Sequence, residues 1–379
     1  MGDLGTRYAV SMKVLSPLHI GSGGALVEGF DYLVRNDKAY VVNQDALMEQ
    51  VLRRAEDAGR GGDDLRAVTD AIMAMSLDDL EKAGYLLATD LEPSSSLVRY
   101  ALRGRPAMRE IREHIKDVYD QPYVPGSSVK GAMRTALAWW AFRELGMAVD
   151  PAEFRGAKKE RVAQAMEKKI FGPDPNHDLL RALLVSDSAP LGGEHLKLAT
   201  IRVHPSGGSG QKSLDLAVEV LGPRAEPSLR VRIDGFVLGQ QVAGQLGLGT
   251  KPQWLTQLPA ICRQHAAQRI EDELEHCRRT QASDLERFYQ WLQKRLRQLD
   301  DSAFLLQMSW GAGWGAKTLG SRLKSDAEAF GKIVRTFRLS RTRQAESAGF
   351  PSSRRVVVTR KGSMMPLGWV QVTMTEVDR

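Results

Sequence analysis

The sequence predicts an α+β fold in which strands alternate with large helical segments. Three observations carry that reading. Tyr8, Val10, Met12 and Val14 alternate with Ala9, Ser11 and Lys13, the period of a half-buried strand. Val129, Met133, Ala136, Leu137 and Trp140 recur at helical spacing and define a core-facing side. The Arg-, Gln- and Glu-rich stretch from Leu258 to about Leu299 keeps that spacing long enough for a helical hairpin, with a break near Thr280 to Ser283, and reads as a surface or partner-facing element.

The remaining elements follow in chain order. Pro17 ends the first strand, and His19-Ile20-Gly21-Ser22-Gly23-Gly24 reads as a loop. Phe30 to Val34 and Ala39 to Val42 form a hairpin around Asn36-Asp37-Lys38. From Gln44 to about Ala88 the pattern is helical and charge-rich, and Pro93 to Pro106 reads as a loop or weak strand. Ser127 and Ser128 are placed to cap a helix from Val129, because a serine oxygen accepts from first-turn amides. Strands are predicted at Leu183 to Val185, Ala217 to Leu221, Leu229 to Ile233, Phe304 to Met308, Val356 to Thr359 and Gly368 to Met374. A helix is expected to resume after Lys317, and no short repeat is visible.

A chain of 379 residues suits either one elaborated α+β unit with insertions or two domains. Its 42% hydrophobic and 26% charged residues are ordinary for a globular protein and argue against disorder. Apolar runs such as Phe304 to Met308 are far too short to cross a bilayer, and no apolar leader opens the chain. With only Cys262 and Cys277, a disulfide framework is not expected and a reducing cytoplasm is.

Charge is unevenly placed. The net charge is +7, yet Trp310 to Lys361 alone holds twelve Lys/Arg against Asp326, Glu328 and Glu346. Such a strip is either a solvated basic face or a surface for a polyanion.

Three places have the chemistry of a polyanion site. In Ser309-Trp310-Gly311-Ala312-Gly313-Trp314-Gly315-Ala316-Lys317-Thr318, alternate glycines let backbone amides approach a ligand, with tryptophans for stacking and a lysine for charge. A tight strand-to-helix turn with core tryptophans explains the same pattern. A nucleotide-hydrolysing P-loop does not, since Ala316 stands where that motif needs glycine before Lys-Thr. Tyr123-Val124-Pro125-Gly126-Ser127-Ser128-Val129-Lys130-Gly131 opens a helix where Lys130 and Arg134 add charge to free amides, or is an ordinary capped helix with solvated bases. His19 suits a general acid or base, a stacking partner, or a packed histidine.

Other motifs carry less. Gly61-Gly62-Asp63-Asp64 resembles a metal-binding hairpin turn, but it lies between helical segments and reads as a capped loop. Cys262 and His265, and His276 and Cys277, supply zinc-type ligands, but on one helix the pairs stand ~21 Å apart. Asp31, Asp187 and Asp234 are single, and a strand end or cap explains each as well as catalysis does.

Val14-Leu15-Ser16-Pro17-Leu18-His19-Ile20-Gly21-Ser22-Gly23 resembles the opening strand and loop of RAMP proteins. Tyr123 to Thr135, Leu180 to Ser188 and Trp310 to Thr318 resemble, in order, their proline-glycine-serine helix start, their leucine-rich strand and their C-terminal glycine-rich loop. The helical insertions, the Gly-Trp-Gly-Ala-Lys-Thr loop, Phe350-Pro351-Ser352 and Pro366-Leu367-Gly368-Trp369 are similar to the fifth subunit of type III-A CRISPR Csm complexes. The resemblance implies an RRM-like, ferredoxin-type βαββαβ core over 1–43, 122–257 and 301–379. It further implies a helical insertion over 44–121 and a helical hairpin insertion over 258–300. It implies a non-enzymatic scaffold that grips the 3′ portion of the guide RNA, supporting its maturation and antiviral defence. Target RNA, the repeated backbone subunit and the small helical subunit are the further partners it implies, with no cofactor and no metal.

Carried over by position, the RNA contacts are His19, Gly21, Ser22, Lys130, Arg134, Gly313, Trp314 and Lys317, with Arg338 and Arg341 from the basic strip. The family's target-cleaving aspartate has its nearest counterpart in Asp31. Two alternatives stand beside this reading. One is a metal-independent RAMP endoribonuclease with His19 as general base, and the other is an enlarged backbone subunit.

Overall fold

The computed structural model describes residues 5–58, 70, 74–92, 95–150, 163–205, 215–340, 350–351 and 353–378. In chain order the main elements are β1 (Thr6–Val14), β2 (Gly21–Val27), β3 (Tyr32–Arg35), β4 (Lys38–Val42), α1 (Gln44–Asp57), α2 (Leu77–Lys82), β5 (Val98–Arg103), β6 (Glu110–His114), α3 (Gly126–Glu144), α4 (Gln164–Phe171) and β7 (Leu183–Val185). There follow β8 (Leu196–Pro205), β9 (Asp215–Leu221), β10 (Ser228–Ile233), α5 (Leu258–Thr280), α6 (Ser283–Arg297), β11 (Ala303–Gln307), α7 (Ala327–Thr336), β12 (Ser353–Val358), β13 (Met364–Pro366) and β14 (Trp369–Val377). The fold is mixed α+β. No helix among the described residues is long and apolar enough to cross a membrane.

A five-stranded antiparallel sheet has the order β11-β14-β1-β10-β7. Its inner positions, Val10, Met12, Val231, Phe304, Leu306 and Val372, pack on Val129, Met133, Ala136, Leu137 and Trp140 of α3. All five α3 positions predicted to face the core are buried, and Val129, Met133 and Leu137 each contribute roughly 1.5–3 kcal/mol by leaving water. Leu305, between Phe304 and Leu306, belongs instead to a second core with α5 and α6. The alternation of β11 thus splits one strand between two cores.

A second sheet runs β13-β12-β8-β9-β6-β2, with β6 and β9 the parallel pair, and a third runs β3-β4-β5. The β3–β4 turn is tight because Asn36 and Asp37 both take positive φ, 49° and 57°. The segment 44–121 therefore carries the strands β5 and β6 as well as helices. The Gly61-Asp64 motif lies outside the described residues.

Several expectations need correction. Gly21 to Gly24 are not loop but the start of β2, whose pairing with β6 breaks register between Gly21 and Ala25. Three glycines and no apolar alternation hid that strand. Neither Ser127 nor Ser128 caps α3, which starts at Gly126, and the Asp187 carboxylate accepts from the Gly126 amide at 2.7 Å. A β-carbon at Gly126 would stand 2.4 Å from the Val185 carbonyl, so only glycine lets α3 begin against β7. The predicted hairpin breaks where expected, at Gln281 with φ 55°, but α5 is no surface element. Leu258, Ile261 and Cys262 enter the first core, and Ala266, Ile270 and Leu274 the second. After Lys317 helix does resume as expected, as one turn at Ser321–Lys324 and then α7.

Buried charge organises α5. The Glu273 carboxylate accepts from Arg269 at 2.9 Å and from Arg354 of β12 at 2.8 Å, and the two guanidinium groups hold its pKa down at about 2 despite full burial. Arg269 in turn fills the space beneath the glycine-rich loop, where a β-carbon on Gly315 would lie 2.5 Å from its Nη1. A carboxyl depressed from 4.5 to about 2 on folding stabilises the fold above pH 4.5 and loses that contribution as pH falls toward 2. Glu273→Gln leaves Arg354 without its carboxylate and is expected to cost about 3–5 kcal/mol in urea unfolding at pH 7. The variant is also expected to lose less stability than the parent between pH 4.5 and 2.

Candidate nucleic-acid interface

The segment Ser16-Pro17-Leu18-His19 crosses from β1 to β2 through the interior, with Ser16, Leu18 and His19 all buried. It is stitched on both sides. Ser16 Oγ accepts from the Trp369 amide at 2.9 Å, and Leu18 and Leu221 exchange backbone bonds of 3.0 and 2.8 Å. The His19 amide donates to Ser309 Oγ at 3.2 Å, the Ser309 hydroxyl donates to the His19 carbonyl at 3.0 Å, and the Trp310 amide donates to that carbonyl at 2.9 Å. The first crossing and the glycine-rich loop, 290 residues apart, are thereby one structure.

Glu219 of β9 supports this junction from below. Fully buried, its carboxylate accepts from the Tyr100 hydroxyl at 2.7 Å, the His114 amide at 2.8 Å and the Lys116 ammonium at 2.7 Å, while burial still raises its pKa. Its backbone carbonyl lies 2.7 Å from His19 Nδ1. A carbonyl only accepts, so Nδ1 carries the proton and Nε2, facing Gly21, is the unprotonated nitrogen. Burial, together with nearby Arg112 and Lys116, lowers the His19 pKa to about 4, so the ring is neutral at pH 7.

Over this junction lies an open cleft of about 420 Å³. His19, Ile20 and Gly21 line one side, Ser128, Gly131, Ala132 and Thr135 of α3 another, and Ser309, Trp310, Ala316 and Lys317 a third. All three elements singled out in the sequence meet here. Burial and the nearby Arg355 guanidinium lower the Lys317 pKa.

The individual residues divide. His19, Gly21 and Lys317 line the cleft, and Ser22 is exposed on β2, bonding to Glu113 and the Gly24 amide. Lys130 is half-buried on a neighbouring face of α3, its pKa lowered by burial. Arg134 is already engaged, 3.1 Å from Asp178 and 3.3 Å from Glu167, with its guanidinium 3.9 Å from the Phe171 ring centre. Gly313 and Trp314 face away from the cleft into a neighbouring cavity, where Trp314 packs on Phe330 and Phe350. Trp314 is thus half-buried against two phenylalanines, while Trp310 packs on the core between β8, β9 and β12 and lines the cleft. Arg338 is exposed after α7, and Arg341 lies outside the described residues.

Asp31, Asp187 and Asp234 each bond to a backbone amide, of Val27, Gly126 and Phe236 respectively. Among the described residues no cluster of three or more metal-type ligands exists, and Cys262 and Cys277 are buried free thiols. Sequence reasoning missed Arg112 of β6 and Arg355 of β12, whose guanidinium groups lie 4.7 and 4.3 Å from the Trp310 ring centre. It also missed Glu219, which sits in an apolar run whose register only the sheet reveals.

The chain resembles several known proteins over most of its length. A Methanocaldococcus jannaschii protein described as CRISPR system Cms protein Csm5 is 23% identical, across 98% of this chain and 90% of that one. A Mycobacterium tuberculosis protein of the same description is 26% identical across 60% and 66%. Among solved structures, a chain in the cryo-EM structure of a type III-A Csm-crRNA-target RNA ternary complex superposes with a TM-score of 0.70 at 24% identity, covering 97% of this chain and all of that one. The crystal structure of T. onnurineus Csm5 superposes with a TM-score of 0.62 at 21% identity. The model of the RAMP superfamily matches residues 11–306, and the protein belongs to that superfamily.

Proposed function

We propose that this chain is the guide-RNA-binding, non-catalytic fifth subunit of a type III-A Csm complex, holding the 3′ portion of the guide. The observation that carries the reading is the convergence of the His19 crossing, the α3 start and the glycine-rich loop on one cleft edged by cations. Such an arrangement neutralises phosphates without reading bases, which suits a subunit that must accept any guide sequence. The likeness to proteins described as Csm5, and to a chain of a crRNA-bound assembly, supports the same conclusion.

The order β14-β1-β10-β7, with α3 joining β1 to β7 and α5 following β10, supports a ferredoxin-type βαββαβ core. Strand β11 then lies outside it, paired to β14. In this reading 1–43, 122–257 and 301–379 form the core together with α5, and 44–121 and the α6 half of the 258–300 hairpin are the insertions, which offer surfaces to the repeated backbone subunit and the small helical subunit.

His19 here is a positioning residue. Its Nδ1 holds the Glu219 carbonyl, its backbone holds the glycine-rich loop, and 2% of its surface is exposed. A neutral ring with one nitrogen unprotonated also fits a general base, so the nuclease alternative is testable. Purified protein incubated with repeat RNA in a chelator is expected to leave the RNA intact. Specific cleavage abolished by His19→Ala contradicts the scaffold reading. Lys317→Ala is expected to weaken binding to guide-like single-stranded RNA and to reduce the dependence of log K on log salt by about 0.7. An unchanged affinity and slope contradicts the assignment of the cleft.

A further inference from the structure

Arginine side chains in this protein are held in place in two different ways. Several are held by acids: Arg202 by Asp215 at 2.6 Å, Arg54 by Asp90 at 2.6 Å, Arg354 by Glu273 at 2.8 Å and Arg134 by Asp178 and Glu167. Such arginines have their charge neutralised and their donors engaged. Arg112 and Arg355 are held instead by the Trp310 ring, and neither pairs with a carboxylate among the described residues. A guanidinium lying on an aromatic face keeps its positive charge and its edge N–H groups available.

The contrast is sharpest on β12. Arg354 and Arg355 are neighbours, and strand alternation sends them to opposite faces. One enters the buried Glu273 network, and the other lies over Trp310 with its surface exposed. Arg112 reaches the same ring from β6, a strand separated from β12 by β8 and β9. Two arginines from distant strands thus converge on one indole that itself lines the cleft beside Lys317. The Arg355 pKa is lowered by partial desolvation and, to a lesser extent, by the neighbouring Arg112 charge.

We propose that Arg112 and Arg355, held on Trp310, form a clip for the phosphodiester groups of an RNA strand at the mouth of the cleft. This rests on the RNA-binding reading and extends it to residues outside the motifs. Phosphate supplies both what the pair lacks, a counter-charge, and what it recognises, paired acceptors for a planar fork. Trp310 acts as a positioning residue whose ring is covered by the two guanidinium groups and leaves sequence unread.

The test is a salt series of binding measurements on the full-length chain with a single-stranded guide-like RNA. Arg112→Ala and Arg355→Ala are each expected to weaken binding roughly tenfold and to lower the salt slope by about 0.7, and the double variant to lower it by about 1.4. Arg202→Ala removes the same charge from an acid-paired position and is expected to leave the slope unchanged. Trp310→Ala is expected to approach the double variant, whereas Trp310→Phe keeps a ring under the arginines and retains most of the affinity. If the double variant binds like the parent while Lys317→Ala still weakens binding, the clip is wrong and the RNA cleft stands. If the parent fails to bind RNA, or binds a poly-glutamate peptide as tightly, both ideas or the phosphodiester specificity, respectively, are overturned.

Discussion

The junction of His19 with Ser309 and Trp310 is the constraint on which the candidate site depends. Three hydrogen bonds between residue 19 and residues 309 and 310 close a loop through nearly the whole chain. This junction is continuous with the pairing of β14 on β1, because Ser16 and Pro17 are bonded to Trp369 and Gly368 at the start of β14. The cleft is therefore a product of the completed sheet and not of any local motif. Buried Glu219 stabilises the junction from the second sheet, engaging Lys116, Tyr100 and the His114 amide. An acid so enclosed would be costly alone, and its three donors make it tolerable.

Charge is divided between two duties. Inside, Arg269, Glu273 and Arg354 fix the underside of the glycine-rich loop, and Lys116 with Glu219 fixes the opposite wall. At the cleft mouth, Lys317, Arg112 and Arg355 make no ion pair with an acid among the described residues. The engaged set builds the shape, and in the proposed reading the unneutralised set gives that shape an affinity for polyanions. A modest net charge of +7 conceals this division, because many acids are held against arginines elsewhere.

Much of the fold could be read from the sequence where periodicity was strong. The β1 alternation, the buried side of α3 and the break between α5 and α6 were legible because each rests on local spacing. Strand β2 was not, since Gly21-Ser22-Gly23-Gly24 has no apolar alternation and is exposed, being held in the sheet by pairing alone. Nor was the burial of α5, whose many charges suggested a surface until Glu273 and Arg269 were seen to pair with each other and with β12. At the candidate site, the three motifs line one cleft, but their sequences do not encode the orientation within it. Trp310 and Trp314 are indistinguishable in sequence, and only the turn at Gly313, with φ 88°, sends one to the cleft and the other to Phe330 and Phe350. Arg112 and Arg355 sit in ordinary strands whose convergence depends on sheet order, which spacing does not encode.

The polarity of the bound strand is the most direct measure of what this cleft is for. In a reconstituted complex, photo-crosslinking from the cleft wall at Ala132 or Ala316 reports which nucleotides of the guide pass through it. Crosslinks confined to the 3′ portion of the guide are the expected result. Crosslinks to the 5′ end, or to no part of the guide in an assembled complex, would contradict the role assigned to the cleft.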